Sequence, residues 1–281
     1  MAMKVLIVGY GNMGKTYANS FIGSRFIKPE DIFVLVRNEN FRATESSIPK
    51  ANFSSVSNEK ISDFDIVILA VKPQDFETLA QKIKPYLKDS QIIFSVMAGI
   101  TISKIESQLS CSKIVRSMPN IPTQIGMGMT VFTASANVDR KELFIIQNLI
   151  NTTGKSVYVE NEKLINAATA ISGSGPAYVF YFMQSMILAA VQLGFNEPEA
   201  ELLVNQTFMG SVAIQNSYSL SNEEWIAKVA SKGGTTESAL QVFEKDCLSQ
   251  TILQAIMAAN ARAAELGVMH IIDAVLMPAN D

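Results

Sequence analysis

Residues 3–21 read MKVLIVGYGNMGKTYANSF. Lys4–Val8 is apolar and β-rich, Gly9-Tyr10-Gly11-Asn12-Met13-Gly14 is a glycine turn, and a helical pattern runs on to about Ile22. Strand, glycine turn and helix in this order open a dinucleotide-binding α/β domain. Gly9 allows the tight turn, Gly11 lets the backbone approach a pyrophosphate, and Gly14 lets the helix lie on the strand. The N–H groups at the helix start then face the phosphates. Gly9, Gly11 and Gly14, with the helix start at Asn12 and Met13, are therefore read as cofactor-binding.

The alternation continues downstream. A second strand, Ile32–Val36, is followed by Arg37-Asn38. An acid at this point usually takes the ribose hydroxyls of NAD, whereas a guanidinium suits a 2′-phosphate. NADPH is thus expected over NADH, with NADH use left open, since Arg37 could be a solvated surface residue and Glu39 stands close by. Phe64–Val71 (FDIVILAV) is apolar throughout, as a central parallel strand should be. It ends at Lys72-Pro73, on the edge where ligands collect in such sheets. Gln91–Ile100 repeats the pattern and ends near Ala98-Gly99, and Ser112–Pro122 is a short strand entering a proline-bounded loop. Gly128–Ser135 and Lys155–Glu160 complete the sheet, with a helix between them from Arg140 to Ile150.

The bulk numbers bound the rest. The chain has 281 residues, 48% hydrophobic and 17% charged, with net charge −3. That allows about two domains with a large core, and gives no basic surface for nucleic acid. Two cysteines, Cys111 and Cys247, are too few for a disulfide framework or a zinc site and read as small buried hydrophobes. A reducing, cytoplasmic compartment fits. The most apolar stretch, Ala177–Val191, is interrupted by Gln184 and Ser185, so it is expected to fall short of a membrane span. The division expected is 1–160, a dinucleotide-binding domain, and 161–281, a helical domain for substrate binding and dimerisation.

After Glu160 the β-runs stop. Residues 161–195 read as a helix, a glycine–proline break, and a long apolar helix with Pro176 in its first turn and Gly194 as its C-cap. Pro198–Gln215 and Ser249–Leu266 are further helices, the latter closed by Gly267. So much apolar helix surface implies dimerisation. From Leu164 to Ala227 there is no Lys, Arg or His, and the single histidine, His270, is read as a surface residue. Dehydrogenases of alcohols need a positioned proton carrier. A protonated imine carries its own activating charge and needs no strong acid, only a site that holds the rest of the molecule still.

Ser231–Leu240, SKGGTTESAL, offers such a site. Glycine N–H groups and two hydroxyls at a helix start would suit a carboxylate, and a threonine hydroxyl could bond an imine nitrogen. The alternative is an ordinary helix start in which Thr235 or Thr236 is the N-cap.

On GYGNMG, AVKPQ (Ala70–Gln74), MPNIP (Met118–Pro122), TAISGSGPAYVF (Thr169–Phe180) and VASKGGTTESAL (Val229–Leu240), the chain resembles the pyrroline-5-carboxylate reductases over essentially its whole length. The resemblance implies a Rossmann-type α/β N-terminal domain followed by an all-α C-terminal dimerisation domain, and reduction of a cyclic imine to proline with NAD(P)H. It implies cofactor contacts at Val8–Met13, Asn38, Asn58, Ala70-Val71-Lys72-Pro73 and Val96-Met97-Ala98. It implies a substrate carboxylate on Ser231, Gly233, Gly234 and Thr235, with Ser174 and Gly175 beside the nicotinamide. Thr236 would be the hydrogen-bond partner of the ring nitrogen and the catalytic residue. Intertwined dimers, often assembled further into decamers, are implied as well. Three positions depart from the family: Lys232 replaces the proline and Ile121 the threonine of many members, and Lys228 the asparagine of some. The competing readings are a β-hydroxyacid dehydrogenase, disfavoured by the lysine-free stretch, and a non-catalytic dinucleotide-binding regulatory relative.

Overall fold

The computed structural model describes residues 3–38 and 46–276, with side chains described as far as Leu266. Glu39 and the side chain of His270 lie outside the described residues. The chain divides into two units, Met1–Ser174 with Ala259–Asp281, and Gly175–Ala258.

In the first unit the strands are β1 (Val5–Val8), β2 (Ile32–Leu35), β3 (Phe53–Ser54), β4 (Ile66–Leu69), β5 (Ile92–Ser95), β6 (Ile114–Met118), β7 (Gly128–Ala134) and β8 (Gly154–Tyr158). They form one sheet in the order β3-β2-β1-β4-β5-β6-β7-β8. Strands β1 to β6 are parallel throughout, β7 runs antiparallel to β6, and β8 is parallel to β7. The reversal at β7 follows from its short link to β6, since a parallel return needs a longer crossover.

Period-two alternation sorts the strand residues into two layers. Val5, Ile7, Ile66 and Ile68 join one core with helices α1 (Asn12–Gly23) and, later in the chain, Ile146, Leu149 and Ile150. Leu6, Val8, Val67 and Leu69 join the other, under α2 (Phe76–Ile83) and α3 (Ile102–Leu109). Helix α2 buries Phe76, Ala80 and Ile83, one face at helical spacing. Helix α4 (Arg140–Asn151) starts on a capping box, with Asp139 accepting from Glu142 N–H and Glu142 reaching back.

Four expectations are corrected. The glycine–proline break is a π turn, Thr169–Gly173, which joins α5 (Leu164–Ala168) to α6 (Gly175–Gln192) with a single bend at Ser174. Ser174 N–H bonds Thr169 O at 2.8 Å, a five-residue closure that keeps the chain helical. As a result Leu164–Gln192 is one helical run of 29 residues, long and apolar enough to cross a membrane by length and composition. Helix α10 (Leu248–Leu276) runs through Gly267, because the residues after it stay apolar and the next proline is Pro278. Cys247 is exposed, at a left-handed backbone position between helices; Cys111 is buried, and its burial pushes the thiol up to about 11.

The second unit holds α6, α7 (Glu197–Ser217), α8 (Asn222–Val229), α9 (Thr235–Lys245) and the first part of α10. Gly194 ends α6 as a left-handed cap at φ 108°, and Phe195 N–H closes on Ala190 O at 3.2 Å. Helices α7 and α8 each open on a capping box, Asn196 with Glu199 and Ser221 with Glu224.

Candidate active site

The carboxyl ends of β2, β1, β4 and β5 stand side by side in the first unit, and the residues expected to hold a cofactor follow them. Gly9 leaves β1 at φ 96°, and a Cβ there would come within 2.7 Å of Ala70 O at the end of β4. The ends of β1 and β4 thus approach closely at the point where the connections diverge, which is where open α/β sheets take ligands. A Cβ on Gly14 would overlap Gly9 O at 2.1 Å, so α1 can lie on β1 only if residue 14 is glycine. A Cβ on Gly11 would meet nothing within 4 Å. That position is constrained by no neighbour of its own chain, and open space there fits close approach by a pyrophosphate.

Helix α1 has Gly11 as N-cap, no side-chain cap and no acid in its first turn. Lys15 N–H is the first to close back, onto Gly11 O at 3.0 Å. The N–H groups of the first turn therefore face outward with the positive end of the helix dipole, an arrangement that fits a phosphate. Tyr10 bonds Ser46 Oγ at 3.1 Å and meets Phe53 edge-on at 5.2 Å, with Lys15 Nζ 5.9 Å above its ring.

The other expected cofactor residues are less uniform. Arg37, exposed after β2, is ion-paired with Asp75, the last residue of the turn leading into α2 and the N-cap of that helix. Asn38 is exposed. The side chain of Asn58 accepts from Lys60 N–H at 3.0 Å and caps a short helical turn. Lys72 and Pro73 open another turn, with Lys72 exposed. Ala70 and Val71 are half-buried at the edge. Val96 and Met97 are buried in the core, so in that segment Ala98 is the residue whose side chain is exposed.

The loop after β6 carries a tie the sequence reading did not find. Asn120 Nδ2 donates to Ser172 O at 3.0 Å, and its Oδ1 accepts Met129 N–H at 2.9 Å. One side chain thus fixes the π turn that precedes Ser174 to the start of β7. Behind it, buried Arg116 donates to Glu162 Oε1 at 2.7 Å and to Asn166 Oδ1 at 3.2 Å, anchoring α5 to the sheet. The asparagine of MPNIP was the available signal; its partners lie too far along the chain to be read from spacing. Ile121, one of the departures from the family pattern, is exposed in the turn that follows.

In the second unit, Ser231–Thr236 forms the loop into α9. Gly233 is left-handed at φ 72° and Gly234 is the N-cap, without a side-chain bond. The alternative in which Thr235 or Thr236 caps the helix is thus not realised: both are inside it, in the first turn. A Cβ on Gly234 would lie 2.6 Å from Ser231 Oγ and 3.0 Å from Ser231 O, so any side chain there must open the loop. The N–H groups divide into two sets. Gly234 N–H bonds Ser231 O at 3.0 Å, and Gly233 N–H bonds the carboxylate of Glu237 at 2.6 Å. Those of Thr235 and Thr236 have no acceptor among the described residues, since the first to close back is Ser238 N–H, onto Gly234 O. Neither threonine hydroxyl is bonded within the described chain, and Lys232 is exposed. What the loop offers an anion is two backbone donors, two hydroxyls and the positive end of a helix.

Comparisons with known proteins join these observations. A family model described as pyrroline-5-carboxylate reductase dimerisation matches residues 162–266, and one described as NADP oxidoreductase, coenzyme F420-dependent, matches residues 4–99. A pyrroline-5-carboxylate reductase of Aquifex aeolicus is 36% identical over 269 residues, covering 95% of this chain and 98% of that one. The chain belongs to the pyrroline-5-carboxylate reductase family. A crystal structure of a Plasmodium falciparum pyrroline carboxylate reductase with NADP bound superposes with a TM-score of 0.83 at 32% identity, over 94% of this chain and 98% of that one. The structure of a Coxiella burnetii pyrroline-5-carboxylate reductase gives a TM-score of 0.86 at 30% identity, over 95% and 99%. The Rossmann-type domain followed by a helical dimerisation domain is the architecture of these reductases, and members are NAD(P)H-dependent oxidoreductases. The apolar run Leu164–Gln192 falls inside the dimerisation match.

Proposed function

We propose that this protein reduces 1-pyrroline-5-carboxylate to L-proline with NADPH, the last step of proline synthesis. The observation that carries the reading is likeness to a named reductase over 95% of the chain. The geometry supports it at both ends: an open helix start after β1 fits a pyrophosphate, and an open helix start at Thr235 fits a carboxylate.

When bound, the reduced nicotinamide supplies a hydride to the imine carbon. The first-turn N–H groups of α1 would hold the phosphates, and Arg37, if released from Asp75, would take the 2′-phosphate. Thr235 and Thr236 N–H hold the substrate carboxylate, with Ser231 closing the loop behind Gly234. As the C–H bond forms, the C=N electron pair moves onto nitrogen, and an iminium becomes an amine. The hydroxyl of Thr236 bonds that nitrogen through the change. No group of the chain need supply a strong acid, which agrees with the absence of Lys, Arg and His from Leu164 to Ala227.

The finer parts of the reading are the division near residue 160, a homodimer built on the helices after it, its further assembly into a decamer, and a cytosolic setting for a chain whose two cysteines are free. The deciding assay is loss of reduced-nicotinamide absorbance with purified protein and pyrroline-5-carboxylate, with NADH in parallel. Turnover that is faster at low NADPH than at low NADH is expected. Cofactor binding without turnover would leave the non-catalytic relative as the better reading.

A further inference from the structure

Glu237 occupies one of the donors that the loop would otherwise offer to substrate. Its Oε2 accepts Gly233 N–H at 2.6 Å, and Gly233 reaches that position only because it is left-handed, at φ 72°. Gly234 as N-cap has no side chain of its own, and Glu237, the third residue of α9, reaches back past it to Gly233 N–H, which leaves Thr235 and Thr236 N–H open. The arrangement is favourable for the free protein, because a carboxylate at a helix N-terminus is attracted by the open N–H groups. It places a fixed negative charge where a second carboxylate must arrive. Among the described residues no cation is paired with Glu237; Lys232, the nearest in sequence, has no ion-pair partner.

We infer that Glu237 is an internal competitor of the substrate carboxylate, setting the KM of this enzyme above what the loop backbone alone would give. The inference rests on the proposed placement of the substrate carboxylate at Thr235–Thr236. A negatively charged ligand binding there feels the Glu237 charge at short range and cannot use Gly233 N–H until Glu237 swings away. A ligand without a carboxylate pays neither cost. Glu237 thereby discriminates against the anionic group itself and leaves the imine untouched.

The test compares wild type, Glu237→Gln and Glu237→Ala on two substrates, pyrroline-5-carboxylate and the carboxylate-free imine 1-pyrroline. Glu237→Gln keeps an oxygen that can accept Gly233 N–H but removes the charge. It should lower KM for pyrroline-5-carboxylate by about three- to tenfold at low ionic strength, less at high salt, as for a like charge at short range. KM for 1-pyrroline and the NADPH Kd should stay within about twofold. Glu237→Ala removes charge and cap together and should lower KM for the carboxylate substrate as well, with a small loss of melting temperature. An unchanged or raised KM for pyrroline-5-carboxylate in Glu237→Gln overturns the inference and leaves Glu237 as a helix cap. An equal change on both substrates overturns it too, since that would reflect a reshaped loop. Failure of the underlying reading looks different: wild type would then turn over neither imine while still binding NADPH.

Discussion

At the scale of single residues, two of the three expected anion positions share a feature that no sequence motif displays: each is held by a carboxylate of the chain itself, while the start of α1 carries none. Arg37 lies on Asp75, and Gly233 N–H lies on Glu237. Composition shows both acids but not their partners, because the contacts are made by loop geometry rather than by periodic spacing. Thr236 is the opposite case. Its hydroxyl makes no bond in the described chain and it is not the cap, so removing it costs the helix little. Thr236→Ala is therefore expected to keep the wild-type melting temperature to within a degree or two, where loss of a true cap would cost about 1 kcal/mol. Its kcat should fall about 10²-fold, the lower end for hydrogen-bond help at a reacting atom, because an iminium is already activated. Wild-type turnover in a variant of normal stability would remove Thr236 from the chemistry. For Arg37→Ala, weaker NADPH binding by about 1–3 kcal/mol is expected, the worth of a charge-assisted contact. Calorimetry with both cofactors checks it, and NADH should be nearly unaffected. Equal losses would mean that Arg37 serves only Asp75.

At the scale of elements, the glycine turn was legible because each glycine does one geometric job, and the structure separates the jobs. A Cβ on Gly14 collides with Gly9 O, whereas a Cβ on Gly11 meets nothing within 4 Å, and Gly11 has an ordinary negative φ of −77°. Gly11→Ala should then fold with a wild-type melting temperature and lose at least about tenfold in NADPH affinity, since the methyl takes the space of the pyrophosphate. Gly14→Ala should lose stability first, by about 1–3 kcal/mol for an overpacked helix–strand contact, and bind weakly as a consequence. Denaturant melts read beside cofactor titrations distinguish them; two variants equal in both measurements would contradict this division. Seven of the eight strands were legible for a similar reason, as apolar runs bounded by turns; the two-residue β3 was not. The short helices α2 and α3, with a single buried face each, went unread. So did the π turn at Thr169–Gly173, where one additional residue per turn keeps a glycine-rich segment helical. The end of α10 was misread because Gly267 looks like a cap, and what argues otherwise is the apolar run after it with no proline before Pro278.

At the scale of the whole molecule, the second unit carries apolar surface that its own helices do not cover. Helix α6 has no buried residue, and α7 buries only Ala200 and Val204. Phe180, Leu188, Leu202 and Met209 are between 58% and 68% exposed. Single exposed leucines are ordinary, but so many on two packed helices belong to an interface, and this segment lies within the dimerisation match. If the helices are covered only by a second copy, folding and association are one equilibrium. The melting temperature should then rise with protein concentration, which no property of an isolated chain would cause. Light scattering at micromolar concentration should give at least twice the 30.7 kDa of one chain. Replacing Leu188 and Leu202 together by Glu removes two side chains worth about 2 kcal/mol each when covered, and puts charge in their place. That variant should elute as monomer or aggregate, with a lowered melting temperature that no longer depends on concentration. A wild-type chain that stays monomeric at micromolar concentration, with a concentration-independent melt, would show that these helices are stable uncovered.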